Sequence, residues 1–153
     1  MPQINPIDDT LEFISKGKPD PTNKDIHTQL GVHFEEVGEM LDEISPLDEQ
    51  AALLLSTAND AIKNLATFLK NSNDVVVVPS ENRIGMIDAL CDQMVTSIAT
   101  AHLLNMDIKG GFNEVNNSNL SKFDDEGNPI LNPITGKIEK GPNYRKADLS
   151  PFV

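Results

Sequence analysis

The sequence predicts an all-α fold, a four- to five-helix bundle with a C-terminal loop or small-hairpin tail. Apolar residues recur at i, i+3/i+4 spacing through successive segments. The one strongly β-prone run, Val75-Val76-Val77-Val78, is extended and too short for a helix, and reads as a connector between helices. After Phe123 the chain turns to Gly, Pro, Asn and Asp, the composition of turns. At 153 residues the chain is expected to be a single helical domain, with a body at about 5–121 and a basic-enriched tail at about 122–153.

The first helix is expected from Asp8 to Lys16, with Ile7, Leu11, Phe13 and Ile14 as its apolar residues, stopped by Gly17 and the Pro19-Asp20-Pro21 turn. Lys24 to Ile44 reads as the second, with Ile26, Leu30, Phe34, Val37, Leu41 and Ile44 on one buried face. Ser45-Pro46 breaks it. A third runs from about Leu47 to Lys70, striped by Leu54, Ala58, Ala61, Ile62, Leu65 and Leu69, and Asn71-Ser72-Asn73 closes it. The valine run reads as a buried extended connector. Ser80 is the expected N-cap of a fourth helix reaching about Asn105, and Asp107 of a fifth reaching Val115. Gly127-Asn128-Pro129 and Thr135-Gly136-Lys137 are the expected turns of the tail, and Tyr144 to Val153 needs docking to be ordered.

The fourth helix carries no charged residue between Asp92 and Asp107. A helix without a charged face is expected to be buried nearly all round, by other helices and by a second subunit, so a homodimer or homotetramer is expected. His33, His102 and Cys91 beside apolar faces read as packed residues. Trp is absent and aromatics are seven, so aliphatic packing must dominate. No stretch reaches the roughly eighteen apolar residues of a membrane span, and Met1-Pro2-Gln3 does not open a signal peptide. A single cysteine excludes an internal disulfide, and a cytoplasmic protein is expected.

The net charge of −12 argues against binding a nucleic-acid polymer, which needs a basic surface. Residues 1–121 hold 7 basic and 19 acidic side chains, and residues 122–153 hold 5 of each. The tail therefore brings cations to an acidic body, which suits an anionic ligand met by metal on one side and lysines on the other.

Within the body, Glu36, Glu39 and Glu43 share one flank of the second helix, while Glu35 and Asp42 fall further from its apolar centre near Val37. Asp42 and Glu43 read as surface charge. Asp88 and Asp92 stand one turn apart on the fourth helix. Facing antiparallel helices can aim Glu36, Glu39, Asp88 and Asp92 into one gap, and carboxylates crowded there are relieved by a hard divalent cation such as Mg²⁺.

These segments carry a resemblance. His33–Ile44, HFEEVGEMLDEI, resembles the E-x-x-E motif of the MazG-like all-α nucleoside triphosphate pyrophosphohydrolases, and Ile87–Val95, IDALCDQMV, resembles their second acidic motif, E-x-x-D. Glu114–Phe123 and Gly136–Pro151 resemble the tail of a phage-type branch of the same superfamily, which also takes in phosphoribosyl-ATP pyrophosphohydrolases. The resemblance implies Mg²⁺ or Mn²⁺ on Glu36, Glu39 and Asp92. The family's remaining glutamate falls at Ala89, which cannot coordinate, and Asp88, one turn before Asp92, is the substitute. Glu35 and Glu36 are the expected catalytic carboxylates, Glu35 helping to position water. Asn119 and Lys122 are expected to reach the nucleotide, and Lys137 or Lys140 to close over its phosphates. The implied reaction is cleavage between the α and β phosphates of a (d)NTP or related nucleotide, giving the monophosphate and pyrophosphate. The alternative is a catalytically silent helical module that binds a nucleotide or a protein.

Overall fold

The computed structural model describes residues 5–134 and 136–153. The Met1-Pro2-Gln3 start and Thr135 of the second tail turn lie outside them. The chain is all-α. Five α-helices run in order, α1 (Pro6–Gly17), α2 (Asn23–Asp42), α3 (Glu49–Asn71), α4 (Arg83–Leu103) and α5 (Ile108–Leu120). The described residues contain no strand, only antiparallel bridges at Phe123–Pro129 and Leu131–Ile138 in the tail. Contacts divide the chain into two compact units: Asp20–Pro79, and Ser80–Val153 together with the N-terminal segment through Pro19.

The smaller unit is an α2–α3 hairpin. Thr22 and Asp25 form a reciprocal capping box at the start of α2, and the Asp48 side chain accepts from Ala51 N at the start of α3. Lys24 Nζ then reaches the carbonyls of Lys70 and Ser72, which no helical bond satisfies at the end of α3. The surface of α2 that meets α3 differs from the apolar face expected from periodicity. His27, Gly31 and Gly38 are its buried residues, and a Cβ on Gly31 would stand 2.7 Å from the Ala66 carbonyl and 3.0 Å from Lys70 N. The helices close through the two glycines, Gly31 against the backbone of buried Ala66 and of Lys70, and Gly38 against the side chains of Lys63 and Asn59. Ile26, Met40 and Ile44 are left exposed. Periodicity missed this seam because glycine contributes no apolar signal.

His27 is the buried polar centre of this unit. Its Nδ1 donates to Asn23 O at 2.7 Å, which leaves Nε2 to accept from Val75 N and Val76 N at 3.0 and 3.2 Å. One imidazole thus anchors the valine run. The run is extended as expected, but Val75, Val76 and Val77 are exposed rather than buried.

In the larger unit, α1 is capped by Asn5 and packs on α5. Buried Asn116 donates to Pro6 O at 2.8 Å and lies 2.9 Å from Thr10 Oγ1. Phe13 stacks on buried Phe123, with ring centroids 5.5 Å apart. A 3-10 turn at Ser80–Asn82 precedes α4, so Asn82 rather than Ser80 holds the cap position, without a side-chain bond. Asn105 adopts φ 59° just past α4, where Asn105 N bonds to His102 O and Met106 N to Ala101 O. That is a left-handed stop with both of its usual bonds. Asp107 caps α5 as expected, and α5 continues five residues beyond Val115.

The tail is docked. Arg145 forks onto Glu114 with Nη1–Oε1 and Nη2–Oε2 at 2.5 and 2.9 Å, and Asp148 N donates to the same carboxylate. Ser118 Oγ donates to Arg145 O, and Asp107 N to Phe152 O. Gly127 and Gly136 take φ of 78° and 63° in the two turns, which glycine adopts without strain.

Two measurements check this packing. Helix propensity favours Ala over Gly by about 0.8–1 kcal/mol, while forcing a methyl into a close-packed seam costs about 1–3 kcal/mol. Gly31→Ala should therefore lower stability in denaturant titration, whereas Gly85→Ala on α4, where nothing lies within 4 Å, should raise it. The Arg145 guanidinium and the Asp148 amide hold the Glu114 carboxyl down at about 2, from an ordinary 4.5. A lowered carboxyl stabilises docking above its unfolded pKa and loses that contribution as pH falls towards the folded value. Hydrogen exchange at residues 145–153 should thus accelerate between about pH 4.5 and 2, and in Arg145→Ala already at pH 7.

Candidate functional site

Gly31 and Gly38 fix which way the acidic residues of α2 face. At 100° per residue, Glu35 and Asp42 each lie about 40° from one of these glycines, beside the seam. Both are paired across it. Lys70 Nζ contacts Glu35 at 2.5 Å, and Lys63 Nζ and Asn59 Nδ2 each reach Asp42 at 2.6 Å. Residues seven apart on α2 thus meet residues seven apart on α3, running the other way. The Lys63 and Asn59 hydrogen bonds lower the Asp42 carboxyl below its ordinary range.

Glu36 and Glu39 lie round the helix, roughly 150° and 90° from the seam, on the side turned away from α3. Both are exposed, and neither forms a hydrogen bond or ion pair among the described residues. The Glu36 carboxyl is raised above its usual value, first by the hydration it loses to neighbouring atoms, then by the charges of Glu39 and Glu35. A carboxylate next to two others, with no cation on it, is a point of unrelieved negative charge.

The second acidic pair sits on α4. Asp88 and Asp92 are both exposed and likewise without a partner among the described residues. Two bare carboxylates one turn apart give hard oxygen donors suited to Mg²⁺ or Mn²⁺, but too few to complete a coordination shell. Among the described residues, no three His, Cys, Asp or Glu side chains gather as a metal-binding group. Each unit offers one pair: Glu36 with Glu39 on the hairpin, Asp88 with Asp92 on the other.

The tail cations have local partners. Lys122 Nζ donates to Asn119 Oδ1 at 2.8 Å and lies 5.4 Å from the centre of the Phe13 ring. Lys140 Nζ lies 4.6 Å from the centre of the Tyr144 ring. Lys137 is exposed and also engaged. Asn119 lies in the last turn of α5 and Lys122 just beyond it, where the sequence placed both after a helix ending at Val115, and the two are half-buried. Two expectations are corrected: Cys91 in the middle of α4 and His102 in its last turn are exposed rather than packed, because within its own unit α4 meets only the preceding 3-10 turn and α5. Reading by sequence also missed Lys70 and Lys63. Their seven-residue spacing matches Glu35 and Asp42, and would have located both ion pairs.

Compared with protein-family models, with curated proteins and with solved structures, the chain matches none. No helix among the described residues is long and apolar enough to cross a membrane.

Replacing Glu36 tests the unrelieved charge. A raised carboxyl destabilises the fold once it ionises, so the protein gains nothing from this charge as pH rises through that range. Glu36→Gln should leave the metal-free melting temperature at pH 7 equal to or slightly above wild type, while Glu35→Gln, which breaks the Lys70 pair, should lower it.

Proposed function

We propose that the protein is a Mg²⁺-dependent nucleotide pyrophosphohydrolase, cleaving a (d)NTP or a related nucleotide between its α and β phosphates. One observation carries this reading. On α2, Glu35 and Asp42 are consumed by ion pairs while Glu36 and Glu39 are not, and Asp88 and Asp92 on α4 are likewise without a partner among the described residues. The resemblance of the two motif segments to MazG-like enzymes gives those bare groups a task.

On this reading Glu36, Glu39 and Asp92 hold the cation, with Asp88 in place of the ligand missing at Ala89. The bound cation would screen the polyphosphate charge and make the attacking water more acidic. Glu36 has a second carboxylate oxygen to accept the water's proton. Glu35, tied to Lys70, is a positioning residue that fixes the helical turn behind Glu36. Lys122 and Asn119, already paired with each other, present a cation and an amide to a phosphate, and Lys137 and Lys140 are the candidates to close over it. Water attacks the α phosphorus, the α–β bridging bond breaks, and pyrophosphate leaves.

A second reading draws on Ala89 and on the apolar residues exposed along α3 and α4. It is a helical module that binds a nucleotide or a protein partner without turnover.

A panel of (d)NTPs with Mg²⁺ and pyrophosphate detection separates the two. Turnover that falls at least 100-fold in Glu39→Gln and in Asp92→Asn supports the enzyme. Equal activity in both variants overturns the site, and calorimetric nucleotide binding without pyrophosphate release establishes the silent module.

A further inference from the structure

The valine run that follows α3 is fastened at one point. Val75 N and Val76 N both donate to His27 Nε2, at 3.0 and 3.2 Å, and residues 75–78 form no other hydrogen bond among the described residues. Immediately before them Asp74 takes φ 52°, in the left-handed region that strains an L side chain. One buried ring therefore restrains a segment whose backbone stores strain.

The donors around the ring fix where its proton lies. An amide N–H can only donate, so Nε2 must offer its lone pair to both valines. The ring proton then sits on Nδ1, which donates it to Asn23 O at 2.7 Å. A second proton has only Nε2 to bind. It would set an N–H against two N–H groups and turn both attractions into repulsions. Neither ring nitrogen bonds a carboxylate that would reward the added charge. The charged side chains of the surrounding elements are engaged elsewhere. On α2, Lys24 holds the carbonyls of Lys70 and Ser72, and Asp25 caps with Thr22. On α3, Lys70 pairs with Glu35, and in the loop beyond it Asp74 accepts from Asn23 Nδ2.

We propose that His27 is a pH-operated latch: the neutral imidazole fastens the loop after α3 and the start of the valine run, and the imidazolium releases them. Every group involved lies within Asp20–Pro79, and the latch does not depend on the proposed activity. The fastened state keeps Nε2 free of a proton, whereas a ring released into water takes one up. The released state thus binds more protons, so acid shifts the population towards it and the attachment returns as pH rises. The opening is local, because the glycine contacts and lysine–carboxylate pairs of the α2–α3 seam involve no histidine.

Nuclear magnetic resonance on the intact chain reads the latch between about pH 8 and 5, where histidine ordinarily changes charge. At the upper end the imidazole nitrogen signals should show the proton on Nδ1 and none on Nε2. Towards the lower end, amide protection at Val75 and Val76, corrected for the intrinsic pH dependence of exchange, should fall about tenfold or more, while that of Ala66 and Leu69 changes less than about twofold. His27→Gln, whose Oε1 accepts the same bonds without titrating, should hold the protection of both valines constant. A proton on Nε2 at the upper end overturns the proposal, as does wild-type protection at the two valines that stays constant across the range. Both measurements on wild type stand whether or not the variant folds. A folded His27→Gln protein with the wild-type pH dependence also overturns it, assigning the change to another group.

Discussion

The α2–α3 hairpin closes through its glycines. With no side chain at Gly31 and Gly38, the backbone of α2 comes within van der Waals reach of α3, and that approach decides what every other residue of α2 can do. Glu35 and Asp42, beside the seam, fall within reach of Lys70 and Lys63 and are neutralised there. Exposed ion pairs of this kind contribute little to stability, about 0–1 kcal/mol each. Their consequence is selective: they remove two carboxylates from further use and leave Glu36 and Glu39 as the free pair. The same approach leaves Ile26 and Ile44 of the apolar stripe of α2 exposed, while Leu30, Phe34, Val37 and Leu41 are half-buried.

Much of the fold was legible in the sequence. All five helices were expected, and their ends fall close to where Gly17, Ser45-Pro46 and Asn71-Ser72-Asn73 interrupt the apolar rhythm. Asp107 declared itself as a cap. What failed to show was which side of a helix is inside. Periodicity locates the centre of large apolar side chains, and on α2 that centre is displaced from the contact because glycine carries the contact. His27 was passed over for a similar reason. Its role depends on two amides almost fifty residues away, and no local pattern announces such a partner.

Legibility of the candidate site is divided in the same way. The acidic pairs were found because i, i+3 and i, i+4 spacing is a local property. Whether two pairs on separate units share an ion is not local, and helical spacing carries no information about it. Lys122 and Asn119 lay within three residues of each other, so their pairing was accessible. The lone helix α4 was expected to be buried because it has no charged face. Within its own unit it meets only the preceding 3-10 turn and α5, so its middle stays exposed there despite that composition.

The cations of this chain have a further consequence. Arg145 is engaged with Glu114, Lys63 and Lys70 with α2, and Lys122 and Lys140 with aromatic rings. Each of these positive charges is local, short-ranged and shared, whereas the surplus of twelve negative charges is felt at a distance. Any polyanion approaching through dilute buffer therefore climbs a repulsive field before it meets a lysine. Salt collapses that field over about 10 Å at 0.1 M. Encounter with an anionic molecule should thus quicken as ionic strength rises, the reverse of the dependence that a basic surface imposes.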